Sequence, residues 1–280
     1  MTRLSGTAAS LSASEPSPGW DCHVHVFDSA AAVQPGHYRP AHRPLAQVEA
    51  EAAALGVGHL VLVQPSVYGS DNTLLLAALA EAPGRHRGVV VLADDVAPAQ
   101  LDAMASLGVC GARLNCVSPV GEAADLSASF ARLAPLLRPR GWHLQWYAQA
   151  GQLAQIAELH QGSGLVCVLD HLAGLHAGLA HDDPAWGALA RLAAQGAWVK
   201  LSGWYRLGAV EPYEALQPTI RRVAALFSER LVWGSDWPHT LFAPGREPAY
   251  ASTWAPVAAA LGEATARALR DAPPAIYRAG

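Results

Sequence analysis

The segment LVCVLDH, residues 165–171, sets the pattern that decides the fold of this chain. It is apolar over five consecutive residues and ends in an acid and a histidine. Two further segments contain a similar uninterrupted apolar run, HLVLVQ at 59–64 and GVVVLA at 88–93. Uninterrupted apolar runs of this length are typical of parallel strands whose outer face is covered by helices. The chain is therefore predicted to contain a parallel sheet with polar residues at the strand ends.

The same alternation of strand and helix continues along most of the chain. Strands are predicted at residues 21–26, 59–64, 88–93, 111–115, 143–147, 165–170, 197–201 and 231–234. Helices are predicted at residues 44–55, 72–81, 98–107, 126–137, 153–160, 184–195, 212–227 and 249–268. Seven steps lead from residue 23 to residue 231, about 30 residues each, which is the length of one strand–helix unit. Eight such units without a GxGxxG fingerprint favour an α/β fold of the (β/α)8 TIM barrel type, as a single domain.

Composition limits the domain organisation and the partners. Hydrophobic residues make up 51% of the 280 residues and charged residues 15%, and the net charge is −4. Residues 1–20 are rich in Ser, Ala and Pro and are predicted to form a flexible arm before one domain at residues 21–280. The charge gives no reason to expect nucleic acid, and no run is apolar enough to span a membrane. We expect a cytoplasmic protein, since the first residues lack the apolar core of a secretory signal. We expect it to be a monomer or a homodimer.

Ionisable residues collect where the predicted strands end, which is where a barrel carries its active site. His23 and His25 alternate on strand 1 and therefore face the same side of it. His171 follows strand 6 and Asp236 follows strand 8. Imidazoles and a carboxylate in one place can ligate a metal ion or polarise a substrate oxygen. The two tryptophans beside Asp236 are expected to desolvate it and to raise its pKa towards that of a useful base, while His239 is expected in the same pocket or at its rim.

Two arginines are predicted to bind an acidic group of the substrate. Arg113 lies on strand 4 and Arg206 follows strand 7. An arginine inside a barrel is costly unless it meets an anion, and a substrate anion is one partner. The alternative is an internal salt bridge from Arg113 to Asp170, Asp94 or Asp95. Candidate hydrogen-bonding residues at the same end are Tyr38, Ser66, Tyr68, Gln145 and Tyr147.

Several motifs together resemble the amidohydrolase superfamily, namely HVH at 23–25, DH at 170–171 and SDWPH at 235–239. GARLN at 111–115 and VKLSGWYR at 199–206 are similar to its lactonase branch, which includes 2-pyrone-4,6-dicarboxylate lactonases and sulfomuconolactone hydrolases. The resemblance implies hydrolytic opening of a lactone in aromatic degradation, with water activated by a carboxylate and the carbonyl oxygen held by imidazoles. The implied catalytic residues are Asp236, His23, His25 and His171. The implied substrate-binding residues are Arg113, Arg206, Tyr38, Ser66, Tyr147 and His239.

Departures from the family pattern bear on the metal and on the substrate. Arg113 stands where two-metal members have a carboxylated lysine, and Gln145 stands where one-metal members have a histidine. A site without a cofactor is therefore expected, and a site with a single Zn²⁺ is the alternative. If a metal is present, the expected ligands are His23, His25, His171 and Asp236. The segment NCVSPVG at 115–121 lacks the second arginine of the pyrone dicarboxylate lactonases, so a lactone with a single anionic arm, or a sulfonated one, is expected.

Other functions remain open at this point. The same superfamily contains metal-dependent decarboxylases, which are lyases, and hydrolases of other C–O or C–N bonds. A barrel that binds a small acid without catalysis is a further alternative. The sequence contains no GxSxG elbow and no GxxxxGK[ST] loop, which argues against a serine hydrolase and against a P-loop enzyme.

Overall fold

Eight parallel strands lie side by side in chain order in a computed structural model, which describes residues 18–117, 125–240, 242–243 and 245–278. The strands are β1 Gly19–Val24, β2 Val57–Val63, β3 Arg87–Val90, β4 Val109–Asn115, β5 His143–Tyr147, β6 Cys167–Leu169, β7 Trp198–Leu201 and β8 Leu231–Trp233. The residues after β8 return to β1, since the Asp236 amide donates to the His23 carbonyl and the His25 amide to the Trp237 carbonyl, both at 2.9 Å. The predicted (β/α)8 barrel is confirmed.

Helices follow the strands and cover the outside of the barrel. Within the described residues they are α1 Leu45–Ala53, α2 Thr73–Glu81, α3 Pro98–Ser106, α4 Leu126–Leu137, α5 Leu153–His160, α6 Pro184–Ala194, α7 Gln217–Phe227, α8 Ala255–Leu261 and α9 Glu263–Asp271. α4 shows why the sequence forms them. Its N-cap Asp125 accepts from the amides of Ser127 and Ala128, and Leu126, Leu133 and Leu137 recur on the buried face.

Two of the predicted helices differ from the observed ones. The helix predicted at 249–268 is wrong as a single element, because it is divided into α8 and α9 at Gly262, whose φ of +84° is outside the helical region. The helix predicted at 212–227 begins only at Gln217. Tyr213 adopts a left-handed conformation with φ of +64°, and a short 3₁₀ turn separates it from α7. Local backbone conformation therefore limits both elements where the apolar spacing would have allowed a longer helix.

The barrel interior has an apolar lower part and a polar upper part. The lower part is one buried cluster made of Trp20, Cys22, Val61, Val63, Val89, Val232 and Tyr277. Buried Arg113, Gln145 and Lys200 follow it on the inward face of β4, β5 and β7. The pairing of β1 with β2 is irregular between Asp21 and Val24, and such a bulge changes the direction of a side chain at the edge of a site.

The first strand begins two residues before the predicted one. Gly19 and Trp20 belong to β1, and the Trp20 ring stacks on His59 at 4.7 Å between centroids. The remainder of the predicted arm, residues 1–17, falls outside the described residues, so it stays a prediction. Among the described helices, none has the length and apolar content needed to cross a bilayer.

Candidate active site

Three imidazoles and one carboxylate meet at the carboxyl end of the barrel. The Nε2 atoms of His23, His25 and His171 lie 3.6, 3.4 and 3.9 Å from Oδ1 of Asp236. All four side chains are buried. His23 and Asp236, more than 200 positions apart in the chain, thus lie in one small cluster with His25 and His171, as the strand-end argument requires.

Unusual backbone conformations hold two of these residues in place. His171, Leu172 and Ala173 have positive φ values of 49°, 50° and 57°, and Asp236 has 62°. Non-glycine residues rarely adopt this region, and such strain concentrates where function fixes a side chain. Gly203 is required beside them, because a Cβ at that position would overlap the His171 ring.

A buried carboxylate behind the cluster ties β1 to the loop after β8. Asp21 Oδ1 accepts from the amides of His23 at 3.1 Å and Ser235 at 2.9 Å, and its Oδ2 accepts from the hydroxyl of Tyr250 at 2.7 Å. Burial raises the pKa of Asp21 to about 6, against the effect of these hydrogen bonds. The backbone on both sides of the cluster is therefore held by one side chain.

The second oxygen of Asp236 is bound by two donors. Oδ2 accepts from the Tyr205 hydroxyl at 2.7 Å and from Arg206 Nε at 2.6 Å. Burial by itself would raise the pKa of Asp236, but the positive charge of Arg206 and the neighbouring imidazoles together outweigh it, and the pKa lies well below its usual value. The expectation that burial beside the tryptophans raises this pKa is wrong, because Arg206 and the three imidazoles together lower it by more than burial raises it.

The partners of the Nδ1 atoms decide what the Nε2 atoms can do. His25 Nδ1 lies 2.7 Å from the Val63 carbonyl, which only accepts, so the neutral ring carries its proton on Nδ1. His23 Nδ1 lies 3.2 Å from Asp170 Oδ1. His171 Nδ1 lies 2.9 Å from Ser202 Oγ, which can donate or accept. Burial lowers the pKa of His171 to about 4 and that of His23 well below its usual value, so both rings are neutral at pH 7.

The donor set fits a single cation. Nε2 of His23, Nε2 of His171 and Oδ1 of Asp236 are buried without a hydrogen-bond partner. Ligand atoms of His23, His25 and Asp236 lie within 4.8 Å of one another. Zinc prefers imidazole nitrogen and carboxylate oxygen in this kind of arrangement. Lone pairs that face one another in a buried space need a proton or a metal ion between them, so the residues present can hold one.

A pocket of about 390 Å³ opens above the cluster. Its lining includes His25 and five of the six residues predicted to bind the substrate, namely Tyr38, Ser66, Arg113, Tyr147 and Arg206. The guanidinium carbons of Arg113 and Arg206 lie 5.2 and 5.9 Å from the centre of the Tyr147 ring. Two positive charges therefore stand on the wall of this pocket.

Arg113 makes the internal salt bridge that the sequence left open as an alternative. Its Nε donates to Asp170 Oδ2 at 3.0 Å, and both side chains are buried. The guanidinium nevertheless remains part of the pocket lining. The ion pair and the substrate-facing position are therefore compatible.

His239 and Tyr68 lie away from this pocket. His239 Nε2 lies 3.0 Å from the Ser235 carbonyl, and the side chain lines a neighbouring pocket with Tyr38. Tyr68 bonds the backbone of Asp28 through its hydroxyl. Both side chains are therefore engaged in contacts with the backbone of neighbouring loops.

Sequence reasoning missed Tyr205 and Lys200. Tyr205 binds Asp236, and Lys200 Nζ donates to Gln145 Oε1 at 2.7 Å. No sequence pattern distinguishes Tyr205 from the other aromatic residues near the strand ends, and its neighbour Arg206 carries the only charge in the segment SGWYR at 202–206. Lys200 had one, because it is a charged residue between the apolar Val199 and Leu201 of a predicted strand.

With this geometry established, the family follows from a direct match. The amidohydrolase family model matches residues 20–278. The chain belongs to the amidohydrolase family.

Named relatives match most of the chain. The 4-sulfomuconolactone hydrolase of Hydrogenophaga intermedia is 28% identical over 230 residues, covering 80% of this chain and 76% of the relative. The 2-pyrone-4,6-dicarboxylate hydrolase of Comamonas testosteroni is 27% identical over 250 residues, covering 80% and 78%. A solved Pseudomonas putida structure, described as that of a candidate 2-pyrone-4,6-dicarboxylic acid hydrolase, has a TM-score of 0.83 and 34% identity over 92% of this amidohydrolase and 97% of its own chain.

Proposed function

We propose that this amidohydrolase opens an anionic lactone, carboxylated or sulfonated, by attack of water on the ring carbonyl. The observation that carries the proposal is the position of Asp236 Oδ1, which faces three imidazoles at 3.4–3.9 Å directly below the pocket. The names of the relatives support the substrate class, since each denotes a hydrolase of a lactone or pyrone that bears an acidic group.

The charges around the pocket favour an anionic substrate. Three cations, the buried Arg113 and Lys200 and the partly exposed Arg206, contact only two buried carboxylates, Asp170 and Asp236, in the described network. An anionic group in the pocket would balance the remaining positive charge. Arg113 and Arg206 are the cations that line the pocket, so they are the residues that orient the substrate.

Asp236 is the group that takes the proton from water. Tyr205 and Arg206 hold its Oδ2, so that Oδ1 is left as the reactive oxygen. The low pKa of Asp236 makes it a weak base, and the water must therefore be acidified by its surroundings. A zinc ion held by His23, His25 and Asp236 would supply this acidification and would polarise the lactone carbonyl.

The histidines have different tasks in this proposal. His25 is fixed with its proton on Nδ1, so its Nε2 accepts rather than donates. His171 can present an Nε2 proton to the developing oxyanion when Ser202 donates to its Nδ1. One preorganised donor of this kind contributes about 3–4 kcal/mol, or about 10²–10³ in rate. Asp236 then returns its proton to the leaving oxygen as the ring opens.

The test is a screen of carboxylated and sulfonated lactones in which ring opening is followed by proton release. Each acid is paired with its neutral methyl ester, and activity is expected for the acid with a strong loss for the ester. Release of CO₂ instead of ring opening would identify a decarboxylase and refute the proposal. Binding of the acids without turnover, both before and after addition of Zn²⁺, would indicate a protein that binds a small acid without catalysis and would also refute the proposal.

A further inference from the structure

Lys200 is the only lysine among the 280 residues, and its side chain is completely buried in β7. Every other basic side chain that is permanently charged is an arginine. An ammonium group loses its hydration in such a position and persists only where other groups replace the water. The reaction proposed above gives this residue no task.

The groups around Lys200 are of the kind that surrounds a metal ion. Its Nζ donates to Gln145 Oε1 at 2.7 Å and lies 3.5 Å from both Asp170 Oδ1 and His23 Nδ1. Two oxygens and an imidazole nitrogen therefore face one positive charge. Gln145 Nε2 also donates to Asp170 Oδ2 at 3.0 Å, so the amide bridges the ammonium and the carboxylate.

Two groups of potential metal ligands lie next to each other at this end of the barrel. One contains His23, His25 and Asp236, and the other contains His23, Asp170 and His171. Lys200 Nζ contacts two of the three members of the second group. The other oxygen of Asp170 accepts from Arg113 Nε. The second group is thus already supplied with positive charge by side chains.

We propose that Lys200 is a built-in cation that fills the second ligand group, so that the barrel can take a metal ion only at the first. The ammonium occupies the space between Asp170 and His23, and a metal ion placed there would be repelled by it and by Arg113. Lys200 also acts as a positioning residue, because it fixes Asp170, which in turn lies against His23. The inference does not depend on which substrate is hydrolysed.

The experiment compares the zinc content of Lys200→Ala with that of the wild type and of Lys200→Arg. Lys200→Arg is the matched control, because it keeps the positive charge. All three proteins have the same surface histidines, so zinc bound outside the cluster is the same in each. Each protein is stripped with chelator, dialysed against the same free Zn²⁺ concentration and measured by elemental analysis, and crystals are examined by anomalous scattering at the zinc edge. Lys200→Ala is expected to hold one Zn²⁺ more than the other two, with the added peak beside Asp170.

Equal zinc content in Lys200→Ala and the wild type would overturn the proposal, as would an added peak elsewhere or two zinc ions in the wild-type cluster. Circular dichroism establishes that each variant is folded. If Lys200→Ala does not fold, Lys200→Gln removes the charge with less loss of volume and is judged by the same count. Turnover is not the readout, so a failure of the lactone assay would leave this result interpretable.

Discussion

Replacing Tyr205 by Phe removes one hydroxyl from the best-defined contact of the site. The Tyr205 hydroxyl donates to the buried Oδ2 of Asp236 at 2.7 Å, and Arg206 Nε remains as the other donor. A hydrogen bond to a charged group contributes about 1.5–3 kcal/mol. Phe has nearly the same shape, so the change should leave the packing around Asp236 intact.

The expected loss of stability can be followed by temperature and by pH. At roughly 2 °C per kcal/mol for a chain of this size, Tm should fall by about 3–6 °C. The folded-state pKa of Asp236 is depressed, so its contribution to stability is present above the unfolded pKa and is lost as the pH falls through the folded pKa. Tyr205→Phe removes a hydrogen-bond donor from the charged form of Asp236 and so raises its folded pKa, and acid unfolding should therefore begin at a higher pH.

Activity should change together with stability. If the lost bond is felt fully in the transition state, kcat/KM falls by about 10- to 150-fold, mainly through kcat. Tyr250→Phe is the matched control, because its hydroxyl donates to buried Asp21 Oδ2 at the same 2.7 Å. It should lose similar stability with little change in kcat. A Tyr205→Phe protein with wild-type Tm and kcat, or a Tyr250→Phe protein with the same loss of kcat, would refute the reasoning.

Three further outcomes are expected. Asp236→Asn should lower kcat by about 10²–10⁴-fold, the range of general acid–base catalysis, with an unchanged circular dichroism spectrum; activity like that of the wild type would remove Asp236 from the mechanism. Arg113→Met should raise KM for an acidic lactone by about 10- to 150-fold, because a charged hydrogen bond is lost. KM for the methyl ester should be nearly unchanged. Equal effects on both substrates would contradict the role of Arg113 as an anion site. Urea unfolding should show stability falling as the pH is lowered from about 6.5 to 4, because burial lowers the pKa of His160 to about 4. The neutral ring accepts a hydrogen bond at Nε2 from Trp146 Nε1 at 2.9 Å, which protonation of that nitrogen would break. His160→Gln should flatten this slope by up to about 3 kcal/mol over the interval, and an unchanged slope would assign it to other groups.

The position of the four clustered residues was predictable because barrel topology brings together the ends of all parallel strands. His23 lies near the carboxyl end of the first strand, His25 follows directly after it, and Asp236 follows the last strand, so chain position alone places them at the same mouth. Strand and helix bounds followed apolar spacing to within a few residues in most elements. They failed at Tyr213 and Gly262, where the backbone leaves the helical region.

The charge state and orientation of the same residues could not be predicted, because they depend on partners that are distant in the chain. Arg206, 30 positions before Asp236, makes the largest contribution to lowering the pKa of that carboxylate against the effect of burial, with the three imidazoles adding to it. Whether Arg113 pairs with Asp170 was one of several alternatives until the tertiary structure placed their atoms 3.0 Å apart.

The sequence by itself determined the barrel and the mouth at which its reactive groups collect, because both follow from periodicity along the chain. Only the tertiary structure decided which oxygen of Asp236 is held, which imidazole nitrogen carries a proton, and that Lys200 lies against Asp170. Electrostatic interactions and hydrogen bonds act over a few ångströms through space. Separation along the chain does not reveal them until the fold has brought the partners together.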